Sequence, residues 1–326
     1  MSSAVEVVYF VASLSATLLA ASVFADRLDR LGERFGLPEA LVGLLTAAGA
    51  DAPELSAAVT ALATGAKGTG LGVVVGSNVF NLGAMIGLSA VVAGSVTLSR
   101  ETLLLEAGVA GGVTVVVCLL GFGVVPPWAA LALTLAVLVP YVVVVALAEG
   151  HTVSLRRRRV LRRALGEHRR RQHPRGRDLW EPLLVIPPAV AAIVLGSIGM
   201  VHSSLRLADR VGLPDVLVGV LLLAVLTSLP NAFTGVRLGR ARRGSALVSE
   251  TMNSNTINLV GGIAVPALFV GFGHFSGLLT VDVGWLLAAT ALTAALLWRP
   301  GGLRRGGGML LLVSWVGFAV VQGIFG

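Results

Sequence analysis

The sequence GLLTAAGADAPELSAAVTALATGAKGTGLGVVVGSNVFNLGAMIG, residues Gly43–Gly87, decides the fold of this chain. It contains two apolar runs that approach the length needed to cross a bilayer, separated by the short loop Gly65–Gly70. Both runs carry residues that hydrocarbon disfavours, namely Asp51, Pro53, Glu54, Ser77, Asn78 and Asn81. An acid in the middle of a membrane helix costs roughly 2.5–3.5 kcal/mol, so such residues normally face a polar partner or a water-filled cavity.

The spacing of these polar residues places them in pairs on common helix faces. Asp51 and Glu54 are three residues apart, and Ser77 and Asn81 are four apart. Pro53 removes a backbone donor and thereby frees a carbonyl oxygen at membrane depth. Carboxylate, amide, hydroxyl and carbonyl oxygens together form the ligand set of a hard cation. The stretch therefore predicts a cation site inside the membrane.

The overall composition is that of an integral membrane protein. Of 326 residues 55% are hydrophobic, and the mean hydropathy is +0.87. The net charge of +8 comes largely from eleven arginines between Arg156 and Arg177, which indicates a cytoplasmic loop touching anionic headgroups rather than a nucleic-acid-binding surface. The single Cys118 excludes an intrachain disulfide, and the ratio of 24 Arg to one Lys favours a bacterial source.

The apolar runs predict an all-α fold of ten transmembrane helices, five on each side of the arginine-rich link. We divide the chain into a first five-helix repeat (residues 1–148), a cytoplasmic loop (149–181) and a second five-helix repeat (182–326). The predicted spans are Val5–Ala25, the two runs of Gly43–Gly87, Leu103–Gly123, Pro126–Ala148, Pro182–His202, Leu213–Val236, Ser245–Phe272, Val281–Trp298 and Met309–Phe325. Between the first two spans, Asp26–Gly36 is predicted as a charged turn.

The two halves repeat each other. Three blocks match: Glu33–Leu44 with Asp209–Val220 at an offset of 176, and Gly49–Glu54 with Leu226–Asn231 and Gly76–Asn81 with Asn253–Asn258 at an offset of 177. Because each half has an odd number of spans, the second half must enter the membrane from the opposite side. Such an inverted repeat predicts a site at the membrane midplane, between the halves.

The charges in the links predict the orientation. Numbered in chain order, the segments between successive spans carry Lys and Arg mainly in the odd-numbered ones, which the positive-inside rule places in the cytoplasm. Both termini are then expected outside the cytoplasm, in a multi-pass protein of the plasma (inner) membrane.

In its motifs and its whole predicted architecture, the chain resembles the cation/calcium antiporter superfamily, which includes the sodium/calcium exchangers. The resemblance implies secondary active antiport by alternating access, with cations such as Ca²⁺ or Na⁺ as transported substrates, protons or sodium as coupling ions, and no cofactor. It also implies central ligands at Glu54, Asn81, Asn231 and Asn258, with hydroxyl positions at Thr227 and Ser228.

The chain departs from the family pattern in its second half. Calcium-exchanging members generally carry an acid at the position of Asn231 and commonly also at that of Asn258. The affinity for a divalent cation should therefore be weaker in this chain. Glu250, Ser254 and Asn258 follow at intervals of four, on one helix face. One hypothesis is that Asp51 and Glu250 replace the lost acids.

Several alternatives accompany this interpretation. Glu250 could instead pair with Arg242 or Arg243 at the cytoplasmic rim. Asn255 is better explained by hydrogen bonding between helices, and the glycine spacings Gly72–Gly76 and Gly83–Gly87 by close packing. An intramembrane enzyme is disfavoured because GxSxG, HExxH and phosphate-binding motifs are missing from the sequence. A transport-inactive relative that acts as a cation-binding or scaffold membrane protein is the remaining alternative.

Overall fold

The computed structural model describes residues 3–34, 47–149, 180–271, 275 and 277–325, which are almost entirely helical. The arginine-rich segment Arg156–Arg177 and the first part of the predicted second span lie outside the described residues. Seven of the described helices are long and apolar enough to cross a membrane, or eight if one bent pair is counted as a single span.

The elements are numbered here in chain order. They are α1 (Ser3–Arg34), α2 (Ala52–Ala63), α3 (Lys67–Phe80), the π-helical segment π1 (Asn81–Met85), α4 (Ile86–Ala93), β1 (Ser95–Val96), α5 (Arg100–Gly121), α6 (Pro127–Glu149), α7 (Trp180–Val211), α8 (Asp215–Leu217), π2 (Val218–Leu223), α9 (Ala224–Thr227), α10 (Leu229–Arg240), α11 (Gly244–Leu259), π3 (Val260–Ala264), a 3-10 turn (Pro266–Leu268), α12 (Leu278–Leu297), β2 (Leu303–Arg304) and α13 (Arg305–Phe325).

Two helices are interrupted at equivalent positions of the repeated motif. Asp51 (φ −82°, ψ −2°) precedes α2, and Ser228 (φ −85°, ψ −2°) precedes α10. Pro53 and Pro230 each occupy the second position of the helix that follows, where a missing backbone N–H costs nothing. The second interruption bends the chain by 48° between α9 and α10. The proline in each motif therefore fixes where the half-helix begins.

The span formed by α3, π1 and α4 is almost completely buried and lies at the centre of the packing. α3 packs against α2, π2, α11 and α12, while α4 packs against α10 and α13. Its glycines allow these close approaches, since a Cβ at Gly76 would lie 2.6 Å from the Val220 carbonyl oxygen, and one at Gly87 would lie 2.8 Å from that of Gly308. The prediction that these glycines serve close packing is confirmed.

The long helices α1 and α7 pack along each other, and α7 also contacts α2. Gly196 and Gly199 allow α7 to approach Ser13 and Thr17 of α1 closely. At one end of this pair the exposed Arg206 forms an ion pair of 3.3 Å with the buried Glu6. Elsewhere, β1 and β2 form a short antiparallel sheet that joins the segment after α4 to the start of α13.

Two boundary predictions are wrong, since α7 also continues past the predicted end of its span at His202 as far as Val211. The segment Asp26–Gly36 was expected to be a charged turn, but α1 continues through Arg34. The segment contains no proline, and the next one along the chain is Pro38. Its Asp, Arg and Leu residues are compatible with a helix, so the helix continues past the apolar residues. Charge marked the end of the apolar run rather than the end of the helix.

Substitution of Gly76 by Ala should lower the free energy of unfolding by about 1–3 kcal/mol, because the new methyl group would push α3 away from π2. Gly111 on α5 is the matched control, since a Cβ there meets nothing within 4 Å. Thermal unfolding in detergent should show a lower midpoint for Gly76→Ala and an unchanged or higher one for Gly111→Ala. Equal midpoints for the two variants would contradict this packing.

Candidate cation site

The two interrupted helices meet at the centre of the molecule and exchange side-chain hydrogen bonds. Ser228 Oγ donates to Glu54 Oε1 at 2.9 Å, and Asn231 Nδ2 donates to Asp51 Oδ1 at 2.7 Å. Ser228 is the repeat partner of Asp51, and Asn231 is that of Glu54, at the offset of 177. The two bonds are thus equivalent under exchange of the repeats. All four side chains are buried.

A second pair of equivalent contacts joins α3 to α11. Asn78 Nδ2 donates to the Asn255 carbonyl oxygen at 3.0 Å, and Asn255 Nδ2 donates to the Asn78 carbonyl oxygen at 3.1 Å. Asn81 Nδ2 donates to Asn255 Oδ1 at 3.0 Å, and Asn258 Nδ2 donates to Asn78 Oδ1 at 3.3 Å. The prediction that Asn255 bonds between helices is confirmed. Asn78 takes the same role, which the Ser-Asn pair present in both motifs could have indicated.

Ser254 connects these two layers. Its hydroxyl donates to Asp51 Oδ1 and accepts from Asn231 Nδ2 at 3.4 Å and from Asn81 Nδ2 at 3.5 Å. Its repeat partner Ser77 instead donates to the Val74 carbonyl oxygen at 3.1 Å and accepts from Asn258 at 3.5 Å. The local symmetry is broken here, because the first half has a carboxylate, Asp51, at the position where the second half has Ser228.

Four buried oxygens of this cluster have no hydrogen-bond partner among the described residues. They are Asp51 Oδ2, Glu54 Oε2, Asn81 Oδ1 and Asn258 Oδ1. A buried polar atom without a partner is costly, and the cost is greater when the atom belongs to a charged carboxylate. Two carboxylate and two amide oxygens are hard ligands of the kind that Na⁺ and Ca²⁺ take in proteins.

The remaining predicted site residues have different surroundings. Thr227 is buried, but its hydroxyl donates to the Leu223 carbonyl oxygen at 2.8 Å within its own helix turn. Glu250 is half-buried and lines a small cavity of about 10 Å³ together with Asp51, Asn231 and Ser254. In the part of the chain that the structure describes, Glu250 forms no ion pair within 4.0 Å, although the positive charge of Arg243, one of the two alternative partners, acts on it electrostatically.

The charge of the cluster is low for a divalent-cation site. Searched over the described residues, the structure shows no group of three or more His, Cys, Asp or Glu side chains arranged to hold a metal ion. The cluster combines the carboxyl groups of Asp51 and Glu54 with neutral amides and hydroxyls. Its two carboxylates at most balance the charge of a divalent cation, so the set can dehydrate and hold one without the excess negative charge that strengthens Ca²⁺ sites.

Comparison with known proteins adds three findings. The model of the family described as "Sodium/calcium exchanger protein" matches residues 5–148 and 183–324. Sodium/calcium exchanger MaX1 of Methanosarcina acetivorans is 29% identical over 133 residues, which is 40% of this chain and 37% of MaX1. CaxA of Alkalimonas amylolytica, a proposed antiporter, is 23% identical over 96% of this chain and 97% of its own length.

The fold also resembles a solved structure. A structure of the sodium-calcium exchanger NCX_Mj superimposes with a TM-score of 0.63, at 18% identity, over 98% of this chain and 99% of that one. The chain thus shares its overall fold with a protein of quite different sequence.

Proposed function

The chain belongs to the sodium/calcium exchanger protein family, and from that premise we propose that it is a secondary active cation antiporter working by alternating access. The observation that carries the proposal is the set of four buried oxygens, on Asp51, Glu54, Asn81 and Asn258, that have no hydrogen-bond partner among the described residues. Oxygens without donors, buried in a membrane protein, are complementary to a positive ion. The matched relatives are named as exchangers or as an antiporter, not as enzymes.

The proposed architecture is ten transmembrane helices in two inverted repeats, residues 1–148 and 182–326, joined by a loop at 149–181. The family model matches in two stretches with closely similar bounds, 5–148 and 183–324. Hydrogen bonds that occur in equivalent pairs at the offset of 177 support the repeat. Reciprocal bonds between Asn78 and Asn255 are those expected across a two-fold axis in the membrane plane.

The proposed ligands are those of the predicted site: Asp51, Glu54, Ser77, Asn81, Thr227, Ser228, Asn231, Glu250, Ser254 and Asn258. Glu54, Asp51, Asn81 and Asn258 would present the open oxygens, while Ser228, Asn231 and Ser254 would orient the carboxylates. Glu250 would add charge from the side of the cavity that it shares with Asp51. We propose that Asp51 and Glu250 compensate for the amides at Asn231 and Asn258.

The moving part of the proposed cycle is the pair α1 and α7. These helices pack mainly on each other and contact the core through α2 and π2, so they would slide as one body. The interrupted helices α2 and α10 would remain with the core and carry the ion. Rigid-body movement around a fixed midplane site is the general solution for transporters with inverted repeats.

Counterflux into proteoliposomes tests this function. Uptake of labelled Ca²⁺ or Na⁺ should require a second cation on the opposite side, tested over calcium, sodium, potassium, magnesium, manganese and protons. Uptake that does not respond to any trans cation would favour the alternative of a transport-inactive, cation-binding or scaffold protein. The Glu250→Gln variant in the same assay tests the charge proposal, which predicts weaker cation binding with retained counterflux.

The proposed orientation places both termini outside the cytoplasm and residues 149–181 inside it. Cysteines introduced at Ser3 and at Gln172 in a Cys118→Ala background should differ in their reaction with a membrane-impermeant maleimide. In intact cells the cysteine at position 3 should react, whereas the one at position 172 should react only after permeabilisation. Labelling at position 172 in intact cells would contradict the orientation and, with it, the inverted repeat.

A further inference from the structure

A second buried polar cluster lies outside the central oxygens, between α5, α6 and α11. Glu106 of α5 is 3% exposed and Tyr141 of α6 is 6% exposed. Tyr141 Oη lies 3.2 Å from Glu106 Oε2, 3.5 Å from Glu106 Oε1 and 2.9 Å from Asn253 Oδ1. Ser249 lies one turn before Asn253 on the same face of α11. The cluster is therefore enclosed by three helices.

Glu106 has no positive partner. In the described part of the chain it forms no ion pair, and the described portions of α6, α11 and α12 contain no Lys or Arg. The titratable and charged groups on the elements around it are Arg100, Glu101, Cys118, Tyr141, Glu149, Arg243, Glu250 and Asp282. An ionised carboxylate buried in a membrane protein without a cation is strongly disfavoured, whereas a protonated one needs only hydrogen bonds.

The count of hydrogens at Tyr141 is compatible with a protonated Glu106. A tyrosine hydroxyl has one hydrogen to donate, yet Tyr141 Oη contacts two acceptors, the Glu106 carboxyl group and Asn253 Oδ1. The shorter contact is to Asn253. All contacts are satisfied if a protonated Glu106 donates to Tyr141, which in turn donates to Asn253. All contacts are also satisfied if Glu106 is ionised and accepts from Tyr141, provided that the Asn253 amide is flipped so that its nitrogen donates to the Tyr141 hydroxyl.

We propose that Glu106 is a proton-binding site that is coupled to the cation site through Tyr141 and Asn253, and that a proton is the counter-ion of transport. Asn253 is adjacent in sequence to Ser254, whose hydroxyl donates to Asp51. When the proton leaves Glu106, the Tyr141 hydroxyl turns to the carboxylate and releases Asn253, which changes the position of α11 at the site. This inference rests on the proposed antiport.

Two measurements on the purified full-length protein test the proposal, with Glu106→Gln and the matched control Asp282→Asn. Gln keeps the size of a protonated Glu but cannot exchange a proton. Infrared spectra of the wild type should contain the C=O stretch of a buried protonated carboxylic acid, which disappears in Glu106→Gln and persists in Asp282→Asn. In proteoliposomes containing a pH dye, cation-driven proton movement should fall about tenfold or more in Glu106→Gln, with cation binding changed less than about threefold.

The outcomes are separable. If Glu106→Gln leaves the carboxylic-acid band unchanged, Glu106 is ionised and the proposal is wrong. If the band disappears but proton movement continues as in the wild type, Glu106 holds a proton that transport does not use, which also overturns the proposal. If the wild type shows no counterflux with any cation, the proposed antiport itself fails, and the infrared result still decides the protonation of Glu106.

Discussion

Replacing Glu54 by Gln should abolish cation counterflux and weaken cation binding on the order of a hundredfold, which corresponds to about 2.7 kcal/mol. Glu54 Oε1 accepts from Ser228 at 2.9 Å and from Asn231 at 3.4 Å, while Oε2 has no partner among the described residues. Glutamine can keep its own oxygen at the Oε1 position and preserve both hydrogen bonds. Its amide nitrogen then occupies the open position, where hydrogen atoms repel a cation.

The variant should therefore fold normally and lose function, a combination that distinguishes a ligand from a structural residue. Folding is measured by the unfolding midpoint without added cation, and binding by calorimetric titration with Ca²⁺ and Na⁺. Asp282→Asn supplies the matched control, because Asp282 is equally buried but lies outside the site, where among the described residues its carboxylate accepts from Gln322 on α13. Counterflux by Glu54→Gln at the wild-type rate would show that the site has been placed wrongly.

Replacing Asn231 by Asp should make the protein depend on a divalent cation for its stability. Asn231 Nδ2 now donates to Asp51 Oδ1 and to Glu54 Oε1, so its amide holds the two carboxylates together without adding charge. Aspartate removes that donor and places a third carboxylate beside the others. In the absence of a cation, we expect the free energy of unfolding to fall by about 3 kcal/mol, as for other uncompensated buried charges. Added Ca²⁺ should restore it.

Thermal unfolding with a chelator and with Ca²⁺ measures this effect, and Asn231→Ala is the control that removes the donor without adding charge. The Ca²⁺-dependent rise in the midpoint should be much larger for Asn231→Asp than for the wild type or for Asn231→Ala. Calcium affinity should increase by about tenfold or more, since Ca²⁺ sites gain strength with each added carboxylate. An equal calcium response in all three proteins would place Asn231 outside the ion site.

The sequence by itself determined the local features of the fold. Pro53 and Pro230 fix the starts of two half-helices, because proline cannot continue a helix in the preceding turn. Gly76 and Gly87 mark the faces where helices approach most closely. The offset of 177 between the motifs identified which residues are equivalent, and the hydrogen bonds of Asn78, Asn255 and their neighbours follow it. These features depend on backbone chemistry and spacing, which a linear sequence contains.

Only the tertiary structure decided how the polar side chains are used. Thr227 and Ser228 are neighbours in the motif, yet Thr227 bonds its own helix turn and Ser228 bonds Glu54. The sequence also did not reveal that Tyr141 contacts both Glu106, 35 residues before it, and Asn253, 112 residues after it. The orientation of a buried side chain is set by the donors and acceptors that packing brings beside it. Those partners come from distant helices, so spacing along one helix can nominate a ligand but cannot show which of its oxygens stays open.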